Sequence, residues 1–498
     1  MFKYSQLESV QAWIAHPTNT AMPLHARIHR AIRQLILGGA LGQGKSLPAT
    51  RTLAKSLGVS RDTVEAAYIQ LHAEGFIKRR VGSGSFVTEL TEFQPTLRKS
   101  RYSELQRAQA PNLSKRGEAT FRGGGIHDAP VPQTFTQGIP EVRNFPRQLW
   151  ERLGRQALKD TQALQHGSPQ GAESLRRAIA DYINLERGAR ATADRILVLN
   201  GSQQAIMLCA TMLLDAGDKI FIEDPGYHGA RRAFDAAELE SVPVCVDHQG
   251  IVVEKVINNP HRGKAVFLTP SHQFPTGAKL SLDRRLSLID WAAREQAWIF
   301  EDDYDSEFHY SGKPTACVQG LDPHDRTIYI GTFTKSLFPS LRIGYLVLPP
   351  QLVRPMTVAR TVLDGYAAQI AQLTLARFIE GGHFGAHIRT MRAIYSERLE
   401  TLANLVEIHL SSFVEARVPI GGLQMPCLLT YDVSERAIFD AAQRVGIKLF
   451  GMSALYAGDK GTPGFLLGFA AYTPSEIEIG VKKLANVFHS ITSKRVRD

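Results

Sequence analysis

From about Phe135 onward, short apolar runs rich in β-formers recur between helical stretches, and this alternation restricts the fold more than any other feature of the chain. The runs are Ile196–Leu199, Lys219–Ile222, Val242–Val246, Ala265–Leu268, Trp298–Glu301 and Ile328–Ile330. Strands alternating with helices predict an α/β domain with a large, mostly parallel sheet, whose ligands gather where strands end. At 498 residues the chain exceeds one ordinary core, so two or three domains are expected.

One strand end carries the most reactive residue type. The run Thr327–Ile330 leads into Gly331-Thr332-Phe333-Thr334-Lys335-Ser336, then Arg342, and Ile343–Leu348 forms a further apolar run closed by Pro349-Pro350. Burial penalises an ammonium, so a lysine between two buried strands either loses its proton or bonds covalently to something. A neutral lysine amine is the nucleophile that forms a Schiff base with pyridoxal 5'-phosphate (PLP), and Thr332 and Arg342 offer that cofactor's phosphate a hydroxyl and a fixed cation.

Other strand ends fit the same ligand. Asn200-Gly201-Ser202-Gln203-Gln204-Ala205 follows a strand and opens a helix, a phosphate-binding arrangement. Glu223-Asp224-Pro225-Gly226-Tyr227 presents an aromatic ring, and Thr269-Pro270-Ser271-His272-Gln273-Phe274-Pro275-Thr276-Gly277 is another strand-end loop. In Trp298–Asp305, strand alternation puts Asp302 and Tyr304 on one face. A carboxylate aimed at a pyridine nitrogen keeps it protonated and makes PLP an electron sink. The residues alone leave open a solvated acidic loop, or a magnesium site of Asp302, Asp303 and Asp305.

Charge separates the two ends of the chain. The formal net charge is +10, but residues 1–90 hold 11 Lys and Arg against 5 Asp and Glu, and residues 91–128 hold 7 against 4. Only +1 remains for the other 370 residues, so a polyanionic partner is expected at the front. There, Leu24, Ile28, Ile32, Leu35 and Ile36 fall at helical spacing, a second short helix runs from Leu47-Pro48 to Leu57, and Gly58-Val59 makes a corner. Ser60 N-caps a third helix, with Val64, Ala67, Tyr68 and Leu71 on its inner face. Two strands follow, Phe76–Arg79 and Ser85–Thr88, around the tip Arg80-Val81-Gly82-Ser83-Gly84. This is the pattern of a winged helix-turn-helix.

Leu47–Ala54, Gly58–Val64 and Gly82–Val87 together resemble the GntR class of bacterial DNA-binding domains over residues 20–90. The resemblance implies that Arg51, Ser60, Arg61, Thr63, Gly82 and Ser83 face operator DNA. Joined to the strand-end segments above, it extends over nearly the whole chain to the MocR regulators, in which a GntR-class domain is fused to a fold type I aminotransferase-like domain. Such a fold implies a large sheet domain and a small C-terminal α+β lobe. The expected domains are 1–89 (winged helix-turn-helix), 90–134 (a flexible linker, from its lost periodicity and its prolines and glycines) and 135–498 (the PLP- and effector-binding domain). By the same resemblance Lys335 is the Schiff-base lysine and Asp302 the partner of the ring nitrogen. Tyr304 lies by the ring oxygen, Tyr227 stacks on the ring, Ser202, Gln203, Thr332 and Arg342 surround the phosphate, and His272 belongs to an effector pocket.

Two positions depart from the aminotransferase pattern. Phe274 stands where the enzymes place Asn, and Leu466, in Phe465–Ala470, stands where they place an arginine that clamps the substrate carboxylate. The expectation is therefore a PLP-dependent, homodimeric transcriptional regulator that senses PLP or an amine or amino acid through Lys335, rather than an enzyme. The alternative is an active transaminase with an accessory DNA-binding domain. No apolar run reaches the roughly 18 residues of a membrane span. The four cysteines are scattered with no metal-ligand spacing, which points to the cytoplasm.

Overall fold

The computed structural model describes residues 4–16, 19, 22–80, 83–88, 113–126, 132–311, 315–431, 434–458 and 461–495. The chain divides into two compact units, Met1–Asn112 and Leu113–Asp498.

The first unit contains α1 (Tyr4–Ala15), α2 (Leu24–Leu37), α3 (Thr50–Leu57), α4 (Arg61–Ala73), β1 (Ile77–Arg80) and β2 (Gly84–Val87). Ile28, Ile32, Leu53, Val64, Ala67, Tyr68 and Leu71 form its core. Gly58, at φ 67°, ends α3 in the left-handed conformation that glycine adopts without a Cβ penalty. Ser60 then caps α4, accepting from Thr63 N at 3.2 Å. Tyr68 ties α4 to the start of α3 by donating to Pro48 O at 2.9 Å. β1 and β2 pair antiparallel, and Leu47 N donates to Ser85 O at 2.8 Å, so residues read as a turn and helix start form a third edge of the wing sheet. Helix α1 was not anticipated, although Leu7, Val10 and Ile14 have helical spacing; Val10 is fully buried in the same core.

The second unit is built on eight strands: β3 (Ile196–Leu199), β4 (Lys219–Asp224), β5 (Glu240–Asp247), β6 (Gly250–Ile251), β7 (Ala265–Leu268), β8 (Trp298–Asp303), β9 (Thr327–Thr332) and β10 (Gly344–Val347). Their order is β3-β10-β9-β8-β7-β4-β5-β6. The pairs from β9 through β8, β7 and β4 to β5 are parallel, whereas β10 is antiparallel to both β3 and β9. Alternate residues serve opposite faces: Ile220, Phe267 and Phe300 enter one core, and Phe221, Val266 and Ile299 another. The six runs singled out in the sequence are all strands; β6, two residues long, is too short to leave a periodic signal. A second sheet of β11 (Val414–Ala416), β12 (Gln424–Leu429), β13 (Phe450–Gly451) and β14 (Gly464–Gly468) is antiparallel throughout, in the order β11-β12-β14-β13.

The stretch expected as a linker differs in one part. Residues Lys115–Gly123 form α5, capped by Ser114, which accepts from Gly117 N at 3.1 Å. This helix packs on the helix His228–Ala236, and Arg116 pairs at 2.9 Å with Glu238, two residues past that helix. With no buried side chain of its own, α5 leaves no apolar stripe for sequence reading to find. Among the described residues no helix is long and apolar enough to cross a membrane.

Candidate functional site

The C-terminal ends of the parallel strands open into a cavity of about 330 Å³, within the size range of small-ligand sites. Ser202, Gln203, Tyr227, Asp302, Tyr304, Thr332, Lys335 and Arg342 all line it. They arrive from several separate turns of the fold. Asp302 is on β8, Thr332 ends β9, and Lys335 and Arg342 lie on the loop joining β9 to β10. Ser202 and Gln203 open the helix Ser202–Leu213, whose first-turn N–H groups have no partners within the helix and favour an anion. Gly201, at φ 117°, permits this close turn; a Cβ there would stand 3.2 Å from the Arg342 guanidinium. Arg342 itself holds φ 52°, an unusual conformation for a side-chain-bearing residue, and one that cavity-lining residues tolerate for function.

Lys335 Nζ donates to Gly138 O at 2.8 Å. Asp302 is 4% exposed, and its Oδ1 is buried without a hydrogen-bond partner. Burial pushes its carboxyl up to about 8, and Asp303, Asp305 and Glu223 push it the same way while Lys335 opposes them. Such a group is costly unless a ligand supplies positive charge or a donor. Tyr304 and Tyr227 flank Phe274, whose ring meets both edge-on, at 6.3 and 6.0 Å. Tyr227 donates to Gln203 Oε1 at 3.4 Å, and Gln203 Nε2 donates to Gly229 O at 2.8 Å, so the Gln203 amide positions the tyrosine.

The remaining acids around β8 are held by the protein. Glu301 accepts from Val318 N and Gln319 N, both at 2.8 Å. Asp303 pairs with Arg187 at 2.8 Å and accepts from Tyr329 Oη at 2.6 Å, and Asp305 pairs with His272 at 3.0 Å. No group of three or more His, Cys, Asp or Glu side chains able to hold a metal ion occurs among the described residues. His272, expected in the effector pocket, is not among the residues lining this cavity. It lines a separate small pocket with Arg187, Lys279 and His309.

Leu466, on β14, is fully buried in an apolar cluster with Phe274, Met452 and Leu455, and Tyr227, Tyr304 and Phe450 pack against it. The position read as the missing carboxylate clamp therefore backs an apolar wall. Sequence reading missed further cavity residues, Ile126, Gln137, Gln424 and Lys448 among them. None sits in a strand-end motif, and no spacing in the chain signals them.

In the first unit, Arg51 and Arg61 are exposed at the starts of α3 and α4 and make no ion pair among the described residues. Ser60 and Thr63 share a 2.7 Å hydroxyl contact at the head of α4, and Ser83 is exposed at the wing tip. Gly82 lies outside the described residues. Arg79 is committed to Glu65 at 2.7 Å, which fastens the wing to α4.

Residues 139–444 match the family described as aminotransferase class I and II, and residues 24–87 match the bacterial regulatory proteins of the gntR family. Over 474 residues, 95% of each chain, the sequence is 35% identical to the probable rhizopine catabolism regulatory protein MocR of Rhizobium meliloti. It is 30% identical to the pyridoxine biosynthesis transcriptional regulator PdxR of Corynebacterium glutamicum, over 91% of this chain and 93% of that one. Among solved structures, the kynurenine aminotransferase of Pyrococcus horikoshii superposes with a TM-score of 0.68 at 25% identity. That match covers 78% of this chain and 98% of the aminotransferase.

Proposed function

We propose, for a chain that belongs to the MocR-type regulators (a gntR-family DNA-binding domain fused to a class I and II aminotransferase domain), that the PLP cavity controls how the front module engages DNA. The protein is a PLP-dependent transcriptional regulator that binds operator DNA. The observation that carries the cofactor assignment is the orphaned, buried Oδ1 of Asp302 in a cavity that also holds Lys335. PLP, when bound, supplies an aldehyde for covalent attachment and a ring nitrogen able to carry positive charge.

The chain's own residues then have distinct tasks. Lys335 would hold the cofactor through Nζ, which now donates to the Gly138 carbonyl. Asp302 would pair with the ring nitrogen. Ser202, Thr332 and Arg342 would hold the phosphate, and Tyr227 and Tyr304 would pack on the ring. Arg51, Ser60, Arg61, Thr63 and Ser83 face DNA, with the arginines supplying phosphate contacts. The effector is PLP itself or an amine or amino acid received at Lys335. A homodimer presents two reading heads to a two-fold operator.

Support for regulation rather than turnover comes from the apolar cluster at Leu466, which offers a substrate carboxylate no bidentate partner. Support for coupling comes from Ile126 and Thr136–Ile139, cavity residues that precede β3 and lie on the stretch joining it to the front module. The test is a binding selection from a random duplex pool, followed by anisotropy titration of the winning duplex with and without PLP. A several-fold change in affinity is expected in wild type and none in Lys335→Ala. Equal affinity with and without PLP in wild type sinks the coupling, because a ligand shifts an equilibrium only through unequal affinity for its states.

A further inference from the structure

The turn Asn200-Gly201-Ser202, which joins β3 to the helix Ser202–Leu213, is held by side chains that do not line the cavity. Its cap residue is Gly201, so no side chain occupies the N–H groups of the helix's first turn, and they stay open to an anion. A glycine at φ 117° also leaves the turn with little stiffness of its own. The residues on either side supply the constraint. Gln204 Oε1 accepts from Asn200 N at 2.7 Å, so a side chain of the first helical turn reaches back across the glycine. Asn200 Nδ2 and Gln204 Nε2 both donate to Asp364 Oδ2, at 2.6 and 2.8 Å. One carboxylate oxygen thus fastens both shoulders of the turn. Asp364 lies 164 residues along the chain from Asn200 and is the last residue of the helix Pro350–Asp364. A negative charge there opposes that helix's dipole, so the helix it ends does not account for it. Arg360, one turn back and fully buried, pairs with Asp364 at 3.2 Å and donates to Gly365 O. The guanidinium fixes the carboxylate and offsets a charge that would otherwise repel a phosphate at the turn.

We propose that Asp364, fixed by Arg360 and acting through Asn200 and Gln204, is a positioning residue for the phosphate-binding turn. It thereby sets how strongly the protein prefers a phosphorylated ligand to the same ring without phosphate. This rests on the reading that Ser202, Thr332 and Arg342 hold the phosphate of PLP. Asp364 adds no contact to the ligand. It keeps the Ser202 hydroxyl and the first-turn N–H groups in one orientation, so that ordering them is not a cost of binding.

The test compares PLP with pyridoxal, which has the same ring and aldehyde and no phosphate, on full-length protein freed of cofactor. Dissociation constants come from calorimetry and from the absorbance change on binding. The variants are Asp364→Ala, Gln204→Met and the two together, each checked by a thermal melt. In each, PLP affinity is expected to fall about tenfold, the scale of one charge-assisted hydrogen bond, while pyridoxal affinity stays within about twofold of wild type. Since both residues act through one oxygen, the double variant should lose no more than about twofold beyond either single one. Gln204→Met leaves the Arg360–Asp364 pair intact and decides the matter if Asp364→Ala does not fold. An unchanged ratio of PLP to pyridoxal affinity overturns the proposal, and so does equal weakening of both ligands, the mark of a purely structural role. Tighter PLP binding in Asp364→Ala, as simple repulsion by the carboxylate would give, overturns it as well. Failure of the underlying reading appears separately and before any variant is measured, as wild-type protein with no preference for PLP over pyridoxal.

Discussion

Lys335 and Asp302 illustrate how one side chain's environment sets its chemistry. Asp302 holds a proton near neutrality because it is buried among Asp303, Asp305 and Glu223, not because of any property of aspartate. Gly138, whose carbonyl accepts from Lys335 Nζ, is equally specific. It sits at φ 64°, and an added Cβ would stand 2.9 Å from Lys335 Nζ. Gly138→Ala therefore combines backbone strain with a clash at the amine, and should weaken PLP uptake by about tenfold while costing roughly 1–2 kcal/mol of stability. Equilibrium dialysis against PLP and a thermal melt check the two parts. Unchanged uptake would mean the amine does not need that wall.

At the scale of elements, the strands were legible and the connections were not. β3, β4, β7, β8 and β9 announce themselves as unbroken apolar runs because they are buried on both faces. The motifs at their ends come together at one cavity. Helix α5 could not be read, since it has no buried residue and its position comes from polar contacts with a distant helix. Gln137, Gln424 and Lys448 were equally hidden, because only the folded chain brings their separate segments to one cavity. His272, expected in an effector pocket, lines a separate small pocket and pairs with Asp305 at 3.0 Å, a contact that strand-end position alone does not reveal. In the front module the elements carry a direct test. Ser60→Ala removes the cap of α4 and should lower the stability of that module by about 1 kcal/mol. It should also weaken DNA binding without affecting PLP uptake. Loss of both together would contradict separate roles for the two units.

For the molecule as a whole, charge and proton linkage make two predictions. The basic excess is concentrated in the first 128 residues, so DNA affinity should fall steeply with salt, with a log–log slope of about −0.9 per phosphate neutralised. Arg51→Ala or Arg61→Ala should flatten the slope by about one such unit. A slope near zero in wild type contradicts DNA binding. The second concerns pH. Asp302 and Glu307 are raised to about 8, and Glu223 and Glu301 to about 7, all chiefly by burial. The folded protein thus keeps protons that the unfolded chain releases above its ordinary carboxyl pKa of about 4. Their contribution to stability is fully present below that value and is lost as pH rises through about 7 to 8. The melting temperature of the PLP-free protein should therefore fall between about pH 6 and 8.5, and Asp302→Asn should make the fall shallower. A curve that rises over this range contradicts the buried-acid picture.

The account depends most on Lys335 Nζ as the point where the cofactor is held. An absorbance titration of PLP-free wild type and Lys335→Ala with PLP tests this directly. Wild type is predicted to develop a saturable visible band at one equivalent per chain and the variant to develop none, its PLP retaining the spectrum of the free compound. The same band in both proteins, or in neither, would contradict it.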